Sequence, residues 1–231
     1  MTVDVLAFGP HADDIEIGLG GTVARHAAEG LRVGLCDLTR AELSSNGTPE
    51  QRLVEAEAAA RVLGAAWREN LGWPDGGIEA TPSHIRSAVD VIRRARPRVI
   101  AIPYGADRHP DHVAASEVLR TAIFKAGLRR YESDAAAWRP EWVCAYFIND
   151  STAPSFVVDV SAHYETKREA LSCYRSQFES ADQSGVATRL NAPTFRQLIE
   201  SRDAQFGALA GVAFAEGFVV REPVVRSGLL K

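Results

Sequence analysis

The sequence lacks several features that would assign it to a specialised class of protein. No apolar run reaches 18 residues, so we expect no membrane-spanning helix. The net charge of −4 at pH 7 provides no general attraction for nucleic acid or anionic lipid. The three cysteines are odd in number and scattered, unlike the framework of a disulfide-rich secreted domain. We therefore expect a cytoplasmic protein with reduced thiols and with neither a nucleic-acid nor a membrane partner.

Internal repeats, low-complexity tracts and linker-like segments are also missing from the sequence. No basic segment followed by an apolar one precedes the first strand-like run, so we expect no targeting leader. Apolar residues make up 46% of the chain and charged residues 24%, which is an ordinary balance for a globular protein. The length suits one large α/β domain, and we predict a single domain over residues 1–231.

Strand and helix patterns alternate along the chain. Apolar runs predict strands at residues 3–8, 32–39, 66–71, 99–104, 142–148, 156–160 and 217–220. Periodic patterns predict helices at residues 23–29, 49–63, 82–96, 113–126, 164–178 and 194–209, and residues 179–191 are predicted to form a polar loop. Thr48, Pro49 and Gly64 provide the N-cap, first residue and end of the second helix. The alternation predicts a Rossmann-like α/β fold, a mainly parallel sheet with helices on both faces.

Two short polar segments follow predicted strands, about ninety residues apart. The first covers residues 10–18 and contains His11, Asp13 and Asp14; the second covers residues 107–112 and contains His109 and His112. Ligands bind beyond the carboxyl ends of parallel strands, so the fold should bring both segments to one crevice. Imidazole and carboxylate ligands with one open position are typical of catalytic zinc, although Fe(II) and Co(II) accept the same ligands.

The glycines that follow the first segment invite a competing interpretation as a nucleotide-binding turn. The spacing of Gly18, Gly20 and Gly21 differs from G-x-G-x-x-G, and a pyrophosphate there would meet Asp13 and Asp14. Repulsion between these anions disfavours a nucleotide unless a cation intervenes. Close packing of helix against strand is the ordinary role for such glycines. A metal-stabilised nucleotide or sugar-phosphate binding module without hydrolysis stays open as an alternative.

Taken together, His11-x-Asp13-Asp14 and His109-Pro110-Asp111-His112 resemble the LmbE/PIG-L family of zinc-dependent N-acetylglucosaminyl deacetylases. The resemblance covers most of the chain and is strongest to the bacillithiol-pathway branch, which acts on N-acetylglucosaminyl-malate. Supporting matches lie at residues 15–18, 37–40, 52, 70–71, 74–75, 103–104, 107–108, 139–140 and 176–178. Two positions depart from the family pattern: Ala12 stands where proline is common, and Ala41-Glu42 stands where Gly-Glu is typical.

The resemblance implies a role for each residue of the two motifs. One zinc ion per chain would be bound by His11, Asp14 and His112. Asp13 would be the general base that deprotonates the attacking water, and His109, oriented by Asp111, would stabilise the oxyanion and protonate the departing amine. The resemblance also implies a homo-oligomer, such as a hexamer. Candidates for binding the carboxylates of an acidic aglycone are three arginines: Arg40, Arg52 and Arg139.

The predicted function is the metal-dependent removal of an N-acetyl group from an N-acetylglucosamine conjugate. N-Acetylglucosaminyl-malate in bacillithiol biosynthesis is the expected substrate. The nearest alternative is a deacetylase of another N-acetyl sugar conjugate, such as an inositol glycoside or a chitin-derived disaccharide.

Overall fold

A computed structural model describes residues 2–179, 185–223 and 225. Within these residues one seven-stranded sheet has the strand order β3-β2-β1-β4-β5-β7-β6. The strands are β1 (Val5–Gly9), β2 (Val33–Thr39), β3 (Trp67–Trp73), β4 (Val99–Pro103), β5 (Trp142–Tyr146), β6 (Phe156–Asp159) and β7 (Ala215–Val219). Neighbouring strands from β3 to β5 pair in parallel, whereas β7 pairs antiparallel with both β5 and β6. The predicted mainly parallel sheet is confirmed.

Helices cover both faces of the sheet, as predicted. They are α1 (Asp14–Ala28), α2 (Pro49–Leu63), α3 (Pro82–Ala95), α4 (Pro110–Ala126), α5 (Tyr164–Ser172), α6 (Arg175–Phe178) and α7 (Pro193–Ala210), with a 3₁₀ turn at Ser161–His163. One buried apolar cluster lies under α1, α2 and α5, and a second lies under α3 and α4. Among the described residues, no helix has both the length and the apolar character needed to cross a bilayer.

Helix α2 shows how local chemistry sets an element's bounds. The Thr48 side chain accepts a hydrogen bond from the Gln51 amide, and Pro49 occupies the first turn, where it loses no helical hydrogen bond. Gly64 ends the helix with a φ of 72°, a left-handed conformation that glycine adopts without strain. The predicted limits of this helix are confirmed.

Helix α1 begins nine residues earlier than the predicted start at residue 23, and it includes Gly18, Gly20 and Gly21. A Cβ at Gly18 would lie 2.2 Å from Tyr146, and one at Gly21 would lie 2.8 Å from Val160. The glycines therefore allow the helix to pack closely on its neighbours, which supports packing over a nucleotide turn.

Of two further predictions, the helix at residues 164–178 needs correction, and the loop at residues 179–191 is only partly covered by the described residues. The helix predicted over residues 164–178 is divided into α5 and α6. Tyr174 between them has a ψ of 63°, outside the helical range, and the Ser176 amide and hydroxyl in α6 donate to Glu55. Residues 180–184 of the predicted polar loop lie outside the described residues. Residues 185–191 contain no helix or strand.

The chain order places both polar segments at one crevice. After β1 the chain adds β2 and β3 on one side of that strand, and it then crosses to β4 on the other side. The carboxyl ends of β1 and β4 are therefore neighbours from which the chain leaves in different directions. This is the switch point at which parallel α/β sheets bind ligands.

Candidate active site

Three predicted metal ligands meet at the switch point. His11 follows β1, Asp14 begins α1, and His112 lies in the first turn of α4. One ligand atom from each lies within 4.8 Å of the other two. His11 Nδ1 is 3.1 Å from Asp14 Oδ2, and His112 Nε2 is 3.3 Å from Asp14 Oδ1. The geometry thus brings together two segments that are remote in sequence.

One nitrogen of each imidazole faces Asp14, and the second nitrogen contacts further carboxylates. His112 Nδ1 lies 3.1 Å from Asp107 Oδ1, and Asn149 donates to the same aspartate from its amide side chain at 3.0 Å and its backbone at 2.9 Å. His11 Nε2 lies 3.0 Å from Asp75 and 3.3 Å from Asp111. Such partners orient imidazole ligands and increase their basicity.

The ligand pKa values reflect this concentration of carboxylates. Burial lowers the pKa of His112, but the negative charges of Asp14 and Asp107 outweigh it and raise the pKa to about 9. The pKa of His11 is likewise raised well above its ordinary value by Asp111, Asp14 and Asp75, against the effect of burial. Burial also opposes ionisation of Asp14, yet the two histidines hold its pKa well below the usual range. The carboxylates therefore stabilise positive charge at the two imidazoles.

Asp13 is directed into the same cleft and is paired with an arginine. Arg52, 2% exposed, donates from Nη1 to Asp13 Oδ2 at 3.3 Å and from Nη2 to the Ala12 carbonyl. Burial raises the pKa of Asp13 to about 7, although Arg52 opposes that rise. Asp13 also has a φ of 117°, a conformation that a non-glycine residue adopts at a cost of about 1–3 kcal/mol. A strained, buried carboxylate with a pKa near neutrality suits a proton acceptor.

The resemblance implies that Asp111 orients His109; in the structure the contact is made by the Asp111 backbone amide and not by its carboxylate. His109 is the N-cap of α4, and its Nδ1 accepts from the Asp111 backbone amide at 3.2 Å. The Asp111 carboxylate instead contacts His11 and accepts from the Gly76 amide at 2.9 Å. Burial and the nearby charges of His11 and His112 lower the pKa of His109. Because Nδ1 accepts the hydrogen bond from the Asp111 amide, Nε2 carries the ring proton and is the hydrogen-bond donor of His109.

The predicted substrate arginines occupy three different environments. Arg52 lines the cleft, but its guanidinium is engaged with Asp13. Arg40 is exposed and packs over Gly72, outside the cleft lining. Arg139 lies beside Trp142 at the opposite, amino end of the strands, where it lines a separate groove. The prediction that Arg40 and Arg139 reach the site is not supported within this chain. Arg139 precedes β5 at the amino edge of the sheet, and Arg40 follows the carboxyl end of β2 but its side chain packs over Gly72.

Other residues of the cleft were not assigned a role from the sequence. Exposed Arg108 and Arg189 line the cleft, as do Leu43, Leu190 and Phe195. Asn149 follows β5, the next strand beyond β4, so the rule that found the two histidine segments would also have found it. Arg189 had no such signal, because it lies after no strand and its position depends on the tertiary fold.

The residues present fit a divalent transition metal. Two imidazoles and a carboxylate form a three-ligand N/O set, which matches catalytic zinc with a position left for water. Five aspartates lie around these imidazoles, with Arg52 as the buried guanidinium among them, so a dication would relieve their repulsion. The five are Asp13, Asp14, Asp75, Asp107 and Asp111.

The fold and the site together define the class: an α/β protein whose sheet switch point carries a polar site of the kind that binds divalent metals. A family model described as GlcNAc-PI de-N-acetylase (PIG-L) matches residues 6–123, which include both polar segments. The chain belongs to the PIG-L family.

Two curated relatives carry deacetylase names. The diacetylchitobiose deacetylase of Thermococcus kodakarensis is 29% identical over 92% of this chain and 81% of its own. The 1D-myo-inositol 2-acetamido-2-deoxy-alpha-D-glucopyranoside deacetylase of Geodermatophilus obscurus is 32% identical over 58% of each chain. Neither name specifies a malate conjugate.

Solved structures confirm the fold and show the range of reactions that it accommodates. The conserved protein TT1542 of Thermus thermophilus aligns with a TM-score of 0.90 and 40% identity, covering 100% of both chains. The 4-carboxy-2-hydroxymuconate hydratase GalB of Pseudomonas putida aligns with a TM-score of 0.82 at 21% identity, covering 99% of this chain and 100% of its own. The fold alone therefore does not specify the reaction, which must be inferred from the site.

Proposed function

We propose that this protein is a zinc-dependent hydrolase that removes the acetyl group from an N-acetylglucosamine conjugate. The observation that carries the proposal is the convergence of His11, Asp14 and His112 within 4.8 Å, with Asp13 beside them in the cleft. Membership of the PIG-L family and the deacetylase names of the relatives support it.

Zinc would be held by the two imidazoles and Asp14, and when bound it supplies Lewis-acid polarisation and lowers the pKa of a water to about 7. Asp13 accepts the proton of the attacking water, and the Arg52 contact fixes the direction of its carboxylate. A buried general base with a pKa near the working pH contributes about 10²- to 10⁴-fold to the rate.

His109 lines the same cleft and is the proposed hydrogen-bond donor to the oxygen of the reacting carbonyl. Its Nε2–H is available because Nδ1 accepts from the Asp111 amide. A donor aimed at a developing oxyanion contributes about 10²- to 10³-fold. When the C–N bond breaks, Asp13, and not His109 as the resemblance implies, returns its proton to the nitrogen, so the products are the free amine and acetic acid, which ionises to acetate in water.

The cleft is large enough for a sugar with an aglycone. Its volume is about 550 Å³, within the range of roughly 300–1,000 Å³ typical of small-molecule sites. Arg108 and Arg189 at its rim favour an acidic aglycone such as malate, since guanidinium groups bind carboxylates bidentately. The names of the relatives favour chitobiose or an inositol glycoside as the second candidate.

Acetate release from a panel of substrates tests the proposal. Zinc-loaded protein would be assayed on N-acetylglucosaminyl-malate, diacetylchitobiose and the N-acetylglucosaminyl inositol glycoside, with Asp13→Asn as the inactive control. Release of acetate from at least one substrate is expected. No release from any of them, with zinc bound, would contradict the proposed function.

The aglycone is tested separately by arginine variants. Arg108→Ala and Arg189→Ala should raise KM for the malate conjugate and leave KM for chitobiose nearly unchanged. Arg139→Ala, outside the cleft, is the matched control and should affect neither substrate. Equal increases of KM for both substrates in the cleft variants would exclude recognition of an acidic aglycone.

A further inference from the structure

A second set of charged side chains is buried behind the site. We call Lys167, Arg202, Asp203 and Glu216 the Lys167 cluster. Lys167 Nζ lies 2.6 Å from Asp203 and 2.7 Å from Glu216, and these three residues are 0% exposed. Arg202 Nε donates to Asp203 at 3.0 Å. Two cations face two anions, so the Lys167 cluster is electrically complete without a ligand.

The Lys167 cluster contacts helix α1 at an irregularity. Leu19, inside the helix, has a φ of −146° and divides it into two parts. The amides of Gly21 and Thr22 donate to the two carboxylate oxygens of Glu216 at 2.9 and 2.7 Å. On the other side of Leu19, the Ile17 carbonyl accepts from Arg202 Nη2 at 2.8 Å. Side chains thus cap both parts of the helix at the kink.

The same arginine also holds the segment that follows β5. Arg202 Nη1 donates to the carbonyl of Phe147 at 3.1 Å and to that of Ile148 at 2.8 Å. The next residue, Asn149, donates to Asp107 through both its side chain and its backbone. Asp107 in turn contacts the ring of His112.

One guanidinium therefore links the helix that begins with Asp14 to residues 147–149, which reach His112 only through Asn149 and Asp107. Its Nη2 holds the first part of α1, which begins with Asp14, and its Nη1 holds the segment behind His112. The planar guanidinium has five donors in fixed directions, which lets it contact three carbonyls in two segments at once. Lys167, Asp203 and Glu216 together carry one net negative charge, which the Arg202 guanidinium balances through its contact with Asp203.

We propose that Arg202 is a positioning residue that sets the separation of Asp14 and His112 and thereby the metal affinity. It contacts neither ligand, and it acts through backbone carbonyls on both sides of the site. The inference rests on the proposed metal-dependent function. Changing outer partners of metal ligands typically weakens metal binding by about 10- to 100-fold.

Arg93 provides a matched control elsewhere in the molecule. It is also buried, and its guanidinium donates to main-chain carbonyls, including those of Ala126, Leu128 and Tyr131. These carbonyls lie at and beyond the end of α4, away from the cleft lining. Replacing Arg93 therefore removes a comparable set of hydrogen bonds without disturbing the site.

The experiment compares Arg202→Lys and Arg202→Met with Arg93→Lys and Arg93→Met. Zinc affinity of the full chain would be measured by competition with a chromogenic chelator, and Tm and acetate release would be measured on the same samples. We expect all four variants to lower Tm. Zinc affinity should fall about 10- to 100-fold in the Arg202 variants and stay within about twofold of wild type in the Arg93 variants.

Three outcomes would overturn the proposal. The first is that both Arg202 variants bind zinc about as tightly as wild type. The second is that the Arg93 variants lose as much zinc affinity as the Arg202 variants. The third is that the Arg93 variants fold whereas neither Arg202 variant does. The last would assign Arg202 a purely structural role. A wild-type protein that binds zinc but releases no acetate would refute the proposed function, while the comparison of zinc affinities would still test the positioning role.

Discussion

The active site and the Lys167 cluster bury many charges, but their charge balance differs. In the site, five aspartates surround three imidazoles and Arg52 beside an open cleft of about 550 Å³. In the Lys167 cluster, two cations neutralise two anions, and the lysine and both carboxylates are fully buried. The excess of carboxylates around the imidazoles needs a cation to neutralise its negative charge, whereas the Lys167 cluster is already neutral and closed.

This difference in charge balance distinguishes a site that binds a ligand from a buried cluster that only holds backbone segments in place. The unbalanced charge of the site is accompanied by shifted pKa values and a strained Asp13, which are features of functional groups. The Lys167 cluster shows neither strain at its members nor an opening. Outside the cluster, its hydrogen bonds involve the Tyr164 hydroxyl and backbone atoms of α1 and of the segment after β5.

Replacing the proposed base should have the largest effect on activity. Asp13→Asn keeps the shape of the side chain but cannot accept a proton, so kcat for acetate release should fall by about 10²- to 10⁴-fold. Zinc content, measured by elemental analysis, should be unchanged because Asp13 is not among the three proposed ligands. Turnover within a few-fold of wild type would show that another group is the base.

Breaking the balance of the Lys167 cluster should have a large effect on stability. Lys167→Met leaves Asp203 and Glu216 buried without their shared cation, which should cost about 3–5 kcal/mol of unfolding free energy. Urea denaturation measures this loss. Arg98→Met, which removes a pair with Glu141 whose side chains are 60% and 58% exposed, is the control and should change the midpoint little. Equal losses in the two variants would contradict the distinction between the clusters.

Zinc binding should release protons from the site. The pKa of His112 in the metal-free protein is raised from 6.5 to about 9, so the ring is protonated at pH 7, whereas a metal ligand must be neutral. The protonated His112 ring stabilises the folded protein; this contribution to the free energy of unfolding is fully present below pH 6.5 and is lost as the pH rises through about 9. Zinc affinity should accordingly increase between pH 7 and 9.

Calorimetric titration with zinc at pH 7, in buffers of different ionisation enthalpy, measures the protons released. At least one proton per zinc ion is expected. Heats that do not depend on the buffer would show that the imidazoles are already neutral.

Removing the partner of Asp13 should have the smallest effect. The positive charge of Arg52 lowers the pKa of Asp13, so Arg52→Gln should raise that pKa and shift the acidic limb of the pH–rate profile to higher pH. Arg61→Gln, an exposed change on the same helix, is the control and should leave the profile in place. A shift to lower pH in the Arg52 variant would contradict the assigned pairing.

Much of the architecture followed from short-range patterns. Thr48 and Gly64 mark the ends of α2 because helix caps depend on neighbouring backbone groups. The apolar runs before residues 10–18 and 107–112 predict β1 and β4, since a buried strand is also visible in a short stretch of sequence. The switch-point rule then placed His11 and His112 together. The predicted fold, including helices on both faces, is confirmed.

The tertiary structure alone decided which groups contact one another inside the site. The carboxylate of Asp111 serves His11, a hundred residues away, and not its neighbour His109, while Arg139 lies at the far end of the strands. The role of Arg202 depends on contacts with carbonyls 54 to 185 positions distant. Local propensity carries no information about such pairings, because they are selected by burial and hydrogen-bond satisfaction in the folded chain.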